Sequence, residues 1–402
     1  NTTTVSAYRG AGRPEGNYYM ERLIETAARE MGIDSAEMRR RNHVKPSDMP
    51  YKAASGSVYD CGDFPAILER ALADADWAGF AARAKESAAR GRLRGRGIGQ
   101  FLEQTAPVMK ELGAIHFEAD GTITLLTGTH DHGQGHATSF AQIVGERLGV
   151  PFKAIRVMQT DSDRLAAGGG TGGSKSIMSS GTALVGASER VIEKAKQAAS
   201  FVLEASAGDL EFKGGRLSIV GTDRGVSLLE LAERIAKDPT LPADCPRTLD
   251  VDYVHEAAPP TYPNGCHVAE VEIDPDTGIT EVVKYTMVGD FGTLVNPMIV
   301  EGQLRGGVVQ GLGAVSGPVT AFLADLTRPE ARTRAMFAIG MSIGASFILS
   351  LIGGPLLGAT RHIRLAEQRE EQLLGEQRVD RLAELLAQLV GNGRDEVIFE
   401  PV

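Results

Sequence analysis

Apolar residues recur at helical spacing from Pro14 to about Met31, at Tyr18, Tyr19, Leu23, Ile24, Ala27 and Ala28, which predicts a helix with one covered face. Gly32 suits the left-handed position that ends a helix, and Pro14 suits a first turn. A shorter helix is predicted over Ser35–Asn42 with Asp34 or Ser35 as its cap, followed by loop over 43–62. Helices at 64–72 and 77–90 come next, and the run Gly91-Arg-Leu-Arg-Gly-Arg-Gly-Ile-Gly99 returns the chain to strands. Strands are then predicted near 113–118 and over 122–127, joined by the hairpin signal Asp120-Gly121. A helix at 136–148, a strand at 154–160 and a long helix at 180–205 follow. The segment 208–250 reads as a small inserted layer, a hairpin at 209–219 and a helix at 228–236. Strands at 267–273 and 279–288, linked by Pro275-Asp-Thr-Gly278, precede a helix from Pro297 to about Gly311. The pattern is α+β, mixed α/β layers followed by an all-helical tail.

Beyond Gly317 the pattern changes. Ala335–Ala359 is 25 residues without a charge, with Arg332 and Arg334 before it and Arg361 and Arg364 after it. That length spans a bilayer, whereas a buried core helix rarely runs so long uncharged. Gly340 and Gly344 form a small-xxx-small pair suited to close helix packing. Residues 361–390 follow as a charged amphipathic helix with Leu374, Leu382, Leu385, Leu386 and Leu389 near one stripe.

With 402 residues, 42% hydrophobic and 23% charged, the chain is long enough to bury a large core in two or more domains. A formal net charge of −10 and the lack of a long basic run exclude nucleic acid as a partner, because displacing counterions needs a basic face. Cys61, Cys245 and Cys266 are widely spaced and odd in number, so neither a disulfide framework nor a metal knuckle is indicated, and the cytoplasm is the expected compartment. The start, Asn1-Thr-Thr-Thr, has no signal-peptide pattern and reads as the middle of a protein.

The 48 glycines are clustered, marking places where backbone comes close to something. Four clusters carry candidate chemistry. Ala7-Tyr-Arg-Gly-Ala-Gly-Arg-Pro-Glu15 sets Arg9 and Arg13 at the mouth of a helix, which makes either an anion or oxo-ligand site or a surface loop with solvated arginines. Gly128-Thr-His-Asp-His-Gly-Gln-Gly-His136 lies between a strand and a helix. His130, His132, His136 and Asp131 invite a zinc reading, but they do not share a helical face. The other use of such a loop is to turn backbone N–H groups and the Gln134 amide towards an anionic ligand. Gly168-Gly-Gly-Thr-Gly-Gly-Ser-Lys-Ser176 has Ser174 where a P-loop needs glycine, leaving a phosphate site of another kind or a flexible loop. In Gly302-Gln-Leu-Arg-Gly-Gly-Val-Val-Gln-Gly-Leu-Gly313, the glycines at 306, 307 and 311 let a helix pack closely on a neighbour or a cofactor, and Gln303 and Gln310 share a face.

Taken in order, AYRGAGRPE, GTHDHGQGHATSFAQIVGERLGVP, GGGTGGSKS and VNPMIVEGQLRGGVVQGLG resemble the molybdopterin-binding subunit of the xanthine dehydrogenase, aldehyde oxidase and carbon monoxide dehydrogenase family, over residues 1 to about 314. The resemblance implies that Gln134, between Gly133 and Gly135, contacts the molybdenum cofactor, that Thr171, Gly172, Gly173 and Ser174 line its phosphate and dithiolene end, that Gln303 lies near the pterin, and that Arg9 lies over the substrate side of the metal. No side chain of the chain is assigned as a metal ligand. It further implies a molybdenum molybdopterin cofactor in the cytosine dinucleotide form, with 2Fe-2S and FAD groups on an iron–sulfur subunit and an FAD subunit of a heterotrimer that dimerises. The expected activity is hydroxylation of an aldehyde or N-heterocycle with water as oxygen source. Carbon monoxide dehydrogenases of the family carry a copper-binding cysteine after the arginine, where this chain has Gly10, so copper-dependent chemistry is not expected.

On this reading 1–95 is a helical segment with the AYRGAGR active-site loop, and 96–314 is the second cofactor-binding domain with 208–250 inserted. The family's glutamate base, downstream of the QGLG helix, has no counterpart, and neither has the upstream glycine loop of the first cofactor domain. Residues 319–358 resemble one transmembrane stretch of a major facilitator transporter, so the two resemblances imply a chimaera with its junction within 315–334. The alternatives are a membrane-associated, non-catalytic fusion protein, or a subunit like that of carbon monoxide dehydrogenase without the copper-binding cysteine. Residues 335–359 are expected to retain the chain in membranes washed with alkaline carbonate, and deleting them to release it; an intact chain in the supernatant would contradict a span.

Overall fold

The computed structural model of the chain describes residues 10–106, 110–159, 161–310 and 398–401. The first element, α1 (Arg13–Met31), starts from a left-handed Gly12 with Pro14 in its first turn and stops at a left-handed Gly32. Helix α2 (Ser35–Asn42) is capped by Asp34, whose carboxylate accepts the Ala36 N–H. The stretch expected to be loop carries a two-stranded ribbon, β1 (Tyr51–Lys52) and β2 (Val58–Tyr59). Then come α3 (Phe64–Asp74), a turn of 3₁₀ helix, and α4 (Phe80–Ala89).

Strand β3 (Leu93–Leu102) opens the strand-rich part, followed by β4 (Glu111–Phe117), β5 (Ile123–Thr127), α5 (His136–Leu148) and β6 (Ile155–Gln159). One turn of π-helix at Ile177–Gly181 leads into α6 (Thr182–Leu203). The segment 208–250 holds β7 (Leu210–Lys213), β8 (Arg216–Ile219), β9 (Gly225–Ser227) and α7 (Leu228–Lys237). After it come β10 (Val251–His255), which periodicity does not reveal, β11 (Asn264–Ile273), β12 (Thr280–Asp290) and a helix, α8, over 297–310. The tail, expected to be all helical, contributes a short strand, β13 (Ile398–Pro401), parallel to β12. The expected span at 335–359 and the helix at 361–390 lie outside the described residues. Among the described residues no helix is long and apolar enough to cross a membrane.

Two four-stranded sheets organise these elements, in the orders β10-β4-β5-β6 and β13-β12-β11-β3. In the first, β5 and β6 are parallel, with Thr127 opposite Gln159, and α5 is the crossover between them. Helix α6 lies across β4 and β10. It comes close because Gly113 has no side chain: a Cβ there would stand 2.5 Å from the Ala183 carbonyl carbon. Ile115, Ile123, Leu125, Phe140, Val144 and Leu184 fill the layer between. The 208–250 segment carries the expected hairpin and helix in a three-stranded sheet of its own, β7-β8-β9, and its Leu210, Leu217, Leu228, Leu231 and Ile235 join this same core.

The second sheet packs α3 on one face through Leu68, Ala71, Ile98, Cys266 and Val268. Burial pushes the Cys266 thiol up to about 12 and pulls the His267 imidazole down to about 4, so both are uncharged at neutral pH. His267 Nδ1 meets the Tyr285 hydroxyl at 2.8 Å. Towards α4 the sheet instead buries charge. Glu270, 1% exposed, accepts from Arg83 at 2.5 Å and Arg94 at 2.6 Å, and Glu272 accepts from Ser87, Arg90 and Arg94.

Burial alone raises the pKa of Glu270, but the bonds from Arg83 and Arg94 overcome it and hold the carboxyl below the usual glutamate range. Its contribution is therefore complete above about pH 4.3, the ordinary glutamate value, and is lost as pH falls through the depressed one. Glu270→Ala, which leaves two guanidinium groups without that partner, is expected to cost about 3–5 kcal/mol at neutral pH. Denaturant titrations at pH 7 and pH 3 check this: the difference from wild type should shrink at the lower pH.

Candidate functional site

In a sheet with parallel strands, the loops leaving the C-terminal ends of neighbouring strands open a crevice. The loop after β5 is 128–135 and the loop after β6 is 160–176, so the glycine clusters 128–136 and 168–176 emerge side by side. They touch through backbone. A Cβ on Gly128 would overlap the Gly168 Cα, and one on Gly168 would stand 2.7 Å from the Gly128 Cα. Thr171 stitches the rims together, its hydroxyl donating to the His130 carbonyl at 2.6 Å and accepting the His130 N–H at 2.8 Å.

Asp131 organises the first loop. Its Oδ1 accepts the N–H groups of Gly133 and Gln134, both at 2.7 Å, and its Oδ2 accepts that of His136 at 2.9 Å. Burial raises the Asp131 pKa, but the three N–H donors outweigh it and hold the carboxyl below its ordinary range. This corrects the expectation that those N–H groups face a ligand, because an anion of the chain itself already takes them. Gln134 folds back so that its Oε1 accepts the His132 N–H, leaving its Nε2 with no partner among the described residues. Gly133 and Gly135 hold φ of 107° and 74°, and Gly135 begins α5.

The three histidines part company. His130 and His132 lie at the surface with ring centroids 4.4 Å apart and planes tilted by 52°. His136 is buried, packs on Phe140, and meets Gln159 Nε2 at its Nδ1 at 3.2 Å. Burial lowers its pKa. Among the described residues no group of three or more His, Cys, Asp or Glu is placed to hold a metal ion.

The second loop runs through a left-handed Gly173, whose carbonyl accepts the Ala106 N–H at 2.7 Å, to Ser174, left-handed at φ 58°. A serine in that conformation is uncommon. The Ser174 hydroxyl donates to Glu103 at 3.0 Å, and Glu103 is also paired with Arg13, so the AYRGAGR segment is tied to the second loop. Arg13 donates again to the Gln104 carbonyl at 3.0 Å. Arg9 lies outside the described residues.

Helix α8 completes the mouth. Asn296 caps it by accepting the Ile299 N–H and anchors it by donating to Gln142 on α5 at 2.9 Å. Ile299 stands over Gly135, where a Cβ would come within 2.9 Å of its Cδ1. Gln303 Nε2 reaches the Gly133 carbonyl at 3.4 Å. Thus the first loop meets Thr171 of the second loop and Ile299 and Gln303 of α8, while Gly173 and Ser174 are tied to Ala106 and Glu103. Among the described residues, Gly133, Gly170, Gly172, Gly302, Gly306 and Gly307 have nothing within 4 Å of where a Cβ would stand, so main chain is open to close approach there.

Beneath the cleft lies a buried polar layer that motif reading misses. Glu111 touches both loops, Ser180 and Thr129 sit beside it, and Gln159 links Thr129 to His136. The one available signal is an acidic residue directly before the apolar run 112–115 of β4.

Glycine-rich loops at the ends of parallel strands, with a glycine-bearing helix against them, leave main chain bare as in proteins of the cofactor-binding class. Two models of molybdopterin cofactor-binding domains match the chain, one over residues 70–316 and the other over 1–43, and the chain belongs to that family, the large subunits of molybdenum hydroxylases. It is 32% identical to the nicotine 6-hydroxylase large subunit of Paenarthrobacter nicotinovorans, over 78% of this chain and 40% of that one. It is also 32% identical to the carbon monoxide dehydrogenase large chain of Afipia carboxidovorans, over 77% and 40%. Among solved structures it resembles quinoline 2-oxidoreductase from Pseudomonas putida 86, with a TM-score of 0.70 and 31% identity over 76% of this chain and 41% of that one. The chain thus spans about 40% of the length of these relatives.

Asp131→Ala frees three N–H groups at once. It is expected to cost about 1–3 kcal/mol in a urea titration and to speed amide exchange at Gly133, Gln134 and His136. Unchanged exchange at these three amides would show that the carboxylate does not hold the loop.

Proposed function

We propose that the chain is part of the catalytic subunit of a molybdenum hydroxylase that oxidises an aldehyde or an N-heterocycle, and that its cleft holds molybdopterin in the cytosine dinucleotide form. The observation that carries this reading is the pair of glycine loops in backbone contact, with Gly133, Gly170 and Gly172 open and the Gln134 Nε2 unpartnered among the described residues. A flat, polar pterin with a phosphate tail suits such a surface, where side chains would only obstruct. When bound, the molybdenum centre supplies the oxidation, taking two electrons while oxygen from water reaches the substrate.

The chain's own groups hold and orient. Gln134 Nε2 donates to the cofactor near the metal, the stretch from Thr171 to Ser174 lines the phosphate and dithiolene end, and Gln303 steadies the pterin side of the rim. Arg9, outside the described residues, is assigned to the substrate side on the resemblance of the AYR motif alone. We assign 1–95 to the segment carrying that loop, 96–314 to the second cofactor-binding domain with 208–250 within it, and 315–334 to the junction with the tail. Relatives named for nicotine and quinoline support an N-heterocycle. The reading includes 2Fe-2S and FAD groups on the two other subunits of a cytoplasmic heterotrimer that pairs as a dimer, with membrane contact confined to 335–359.

Carbon monoxide as substrate is disfavoured by geometry at position 10. Gly10 has φ 98°, and a Cβ there would stand 2.6 Å from the Pro14 ring, so a copper-binding cysteine does not fit that backbone.

Purified together with its iron–sulfur and flavin partners from a host that makes the cofactor, the chain is expected to carry molybdenum and a cytosine nucleotide in equal amounts. Gln134→Ala should reduce substrate-dependent dye reduction about tenfold, as loss of a group that orients a metal site commonly does. No molybdenum in the wild-type complex, or full activity in the variant, would refute the reading.

A further inference from the structure

At the base of the cleft a buried carboxylate touches both loops. Glu111, the first residue of β4, is 1% exposed. Among the described residues its partners are three neutral donors. Its Oε1 accepts the Gly128 N–H at 2.9 Å and the Ser180 hydroxyl at 3.0 Å, and its Oε2 accepts the Gly169 N–H at 3.2 Å. Burying a carboxylate this way is costly unless its hydrogen bonds are well made. Here each oxygen takes an N–H from a different loop, so the group spans the gap between them beside the Gly128–Gly168 contact.

The chemistry of the side chain is specific. Glutamate offers two accepting oxygens at this reach. Glutamine presents an NH₂ to one of the two N–H groups, so one of those bonds is replaced by a donor facing a donor. Aspartate keeps the charge but is one methylene shorter and cannot meet both. Ser180 comes from the π-helical turn at 177–181, and its hydroxyl also meets Thr129 Oγ1 at 3.3 Å. Gln159 carries the connection from Thr129, at 3.3 Å, to His136 in the first turn of α5.

We propose that Glu111 is a positioning residue that fixes the spacing of the two loops by binding one N–H from each, and through that spacing governs how well molybdopterin is retained. This rests on the cleft being the molybdopterin site.

The test uses the chain with its partner subunits, as wild type, Glu111→Gln, Glu111→Asp, and Glu272→Gln as a control in the charge network away from the cleft. Two quantities are read: molybdenum and cytosine nucleotide per chain when cofactor is limiting, and hydrogen exchange at individual amides. Both Glu111 variants are expected to retain about tenfold less molybdenum. Their exchange should accelerate at Gly128 and Gly169 while amides within β4 and β5 keep wild-type rates, and the control should hold wild-type molybdenum. Wild-type occupancy and loop exchange in both variants overturn the proposal. So does full occupancy in Glu111→Asp alone, which would mean that charge and not span matters. Acceleration spread evenly through β4, β5 and α6 overturns it in favour of a merely structural role. Molybdenum-free wild type overturns the cofactor reading and this proposal together, whereas loaded wild type with unaffected variants overturns this proposal alone.

Discussion

Two stretches of main chain meet at Gly128 and Gly168 with no side chain between them, and the cleft depends on that contact. It exists because β5 and β6 are parallel neighbours, so the segments that follow them leave from the same edge at one strand spacing. Any Cβ at either position would wedge the strands' exits apart. The crossover helix α5 is bracketed by left-handed glycines at 135 and 149, which lets it start and stop abruptly while both connections stay short.

Both sheets rest on apolar packing, and the second adds buried ion pairs on the side of α4. Around β4, β5 and α6 the packing is aliphatic, and small residues such as Ala183, Ala187 and Ala195 bring the helix near the strands. Between α4 and β11 it is ionic, with Glu270 and Glu272 surrounded by arginines. Apolar packing tolerates slight sliding, whereas a carboxylate held by two guanidinium groups admits few geometries. The second sheet is also the one joined to α1 and α2, through Arg39, whose side chain reaches Glu21, Glu25 and the Ile98 carbonyl.

Much of this was legible in the sequence where local chemistry decides. Helix 136–148 has the same ends in both readings because Gly135 and Gly149 mark them, and Ser35–Asn42 follows from its aspartate cap. Motif order singled out Gly133, Gln134, Gly135, Thr171 and Ser174, and the structure joins the two loops that carry them through Thr171 and His130. What escaped is contact between residues distant in sequence. Glu111 meets Gly169 across 58 positions, and no periodicity signals such a pair. Strand β10 escaped because five residues beside a proline-rich stretch carry too little alternation. The expectation of free N–H groups in the 131–136 loop failed for a related reason: it weighed donors without asking whether Asp131, a few residues away, would take them.

The unequal room around the glycines sets where this scaffold can change over time. Positions 128, 168, 113 and 149 face atoms at once, so even alanine is excluded there and drift at these sites is closed. Positions 172, 302, 306 and 307 have no neighbour within 4 Å of a Cβ among the described residues, and among those residues nothing steric forbids a larger side chain there. A lineage that kept glycine at the first set alone would reveal selection for folding. One that kept it equally at the second would reveal selection by something that comes to rest against those bare stretches of backbone.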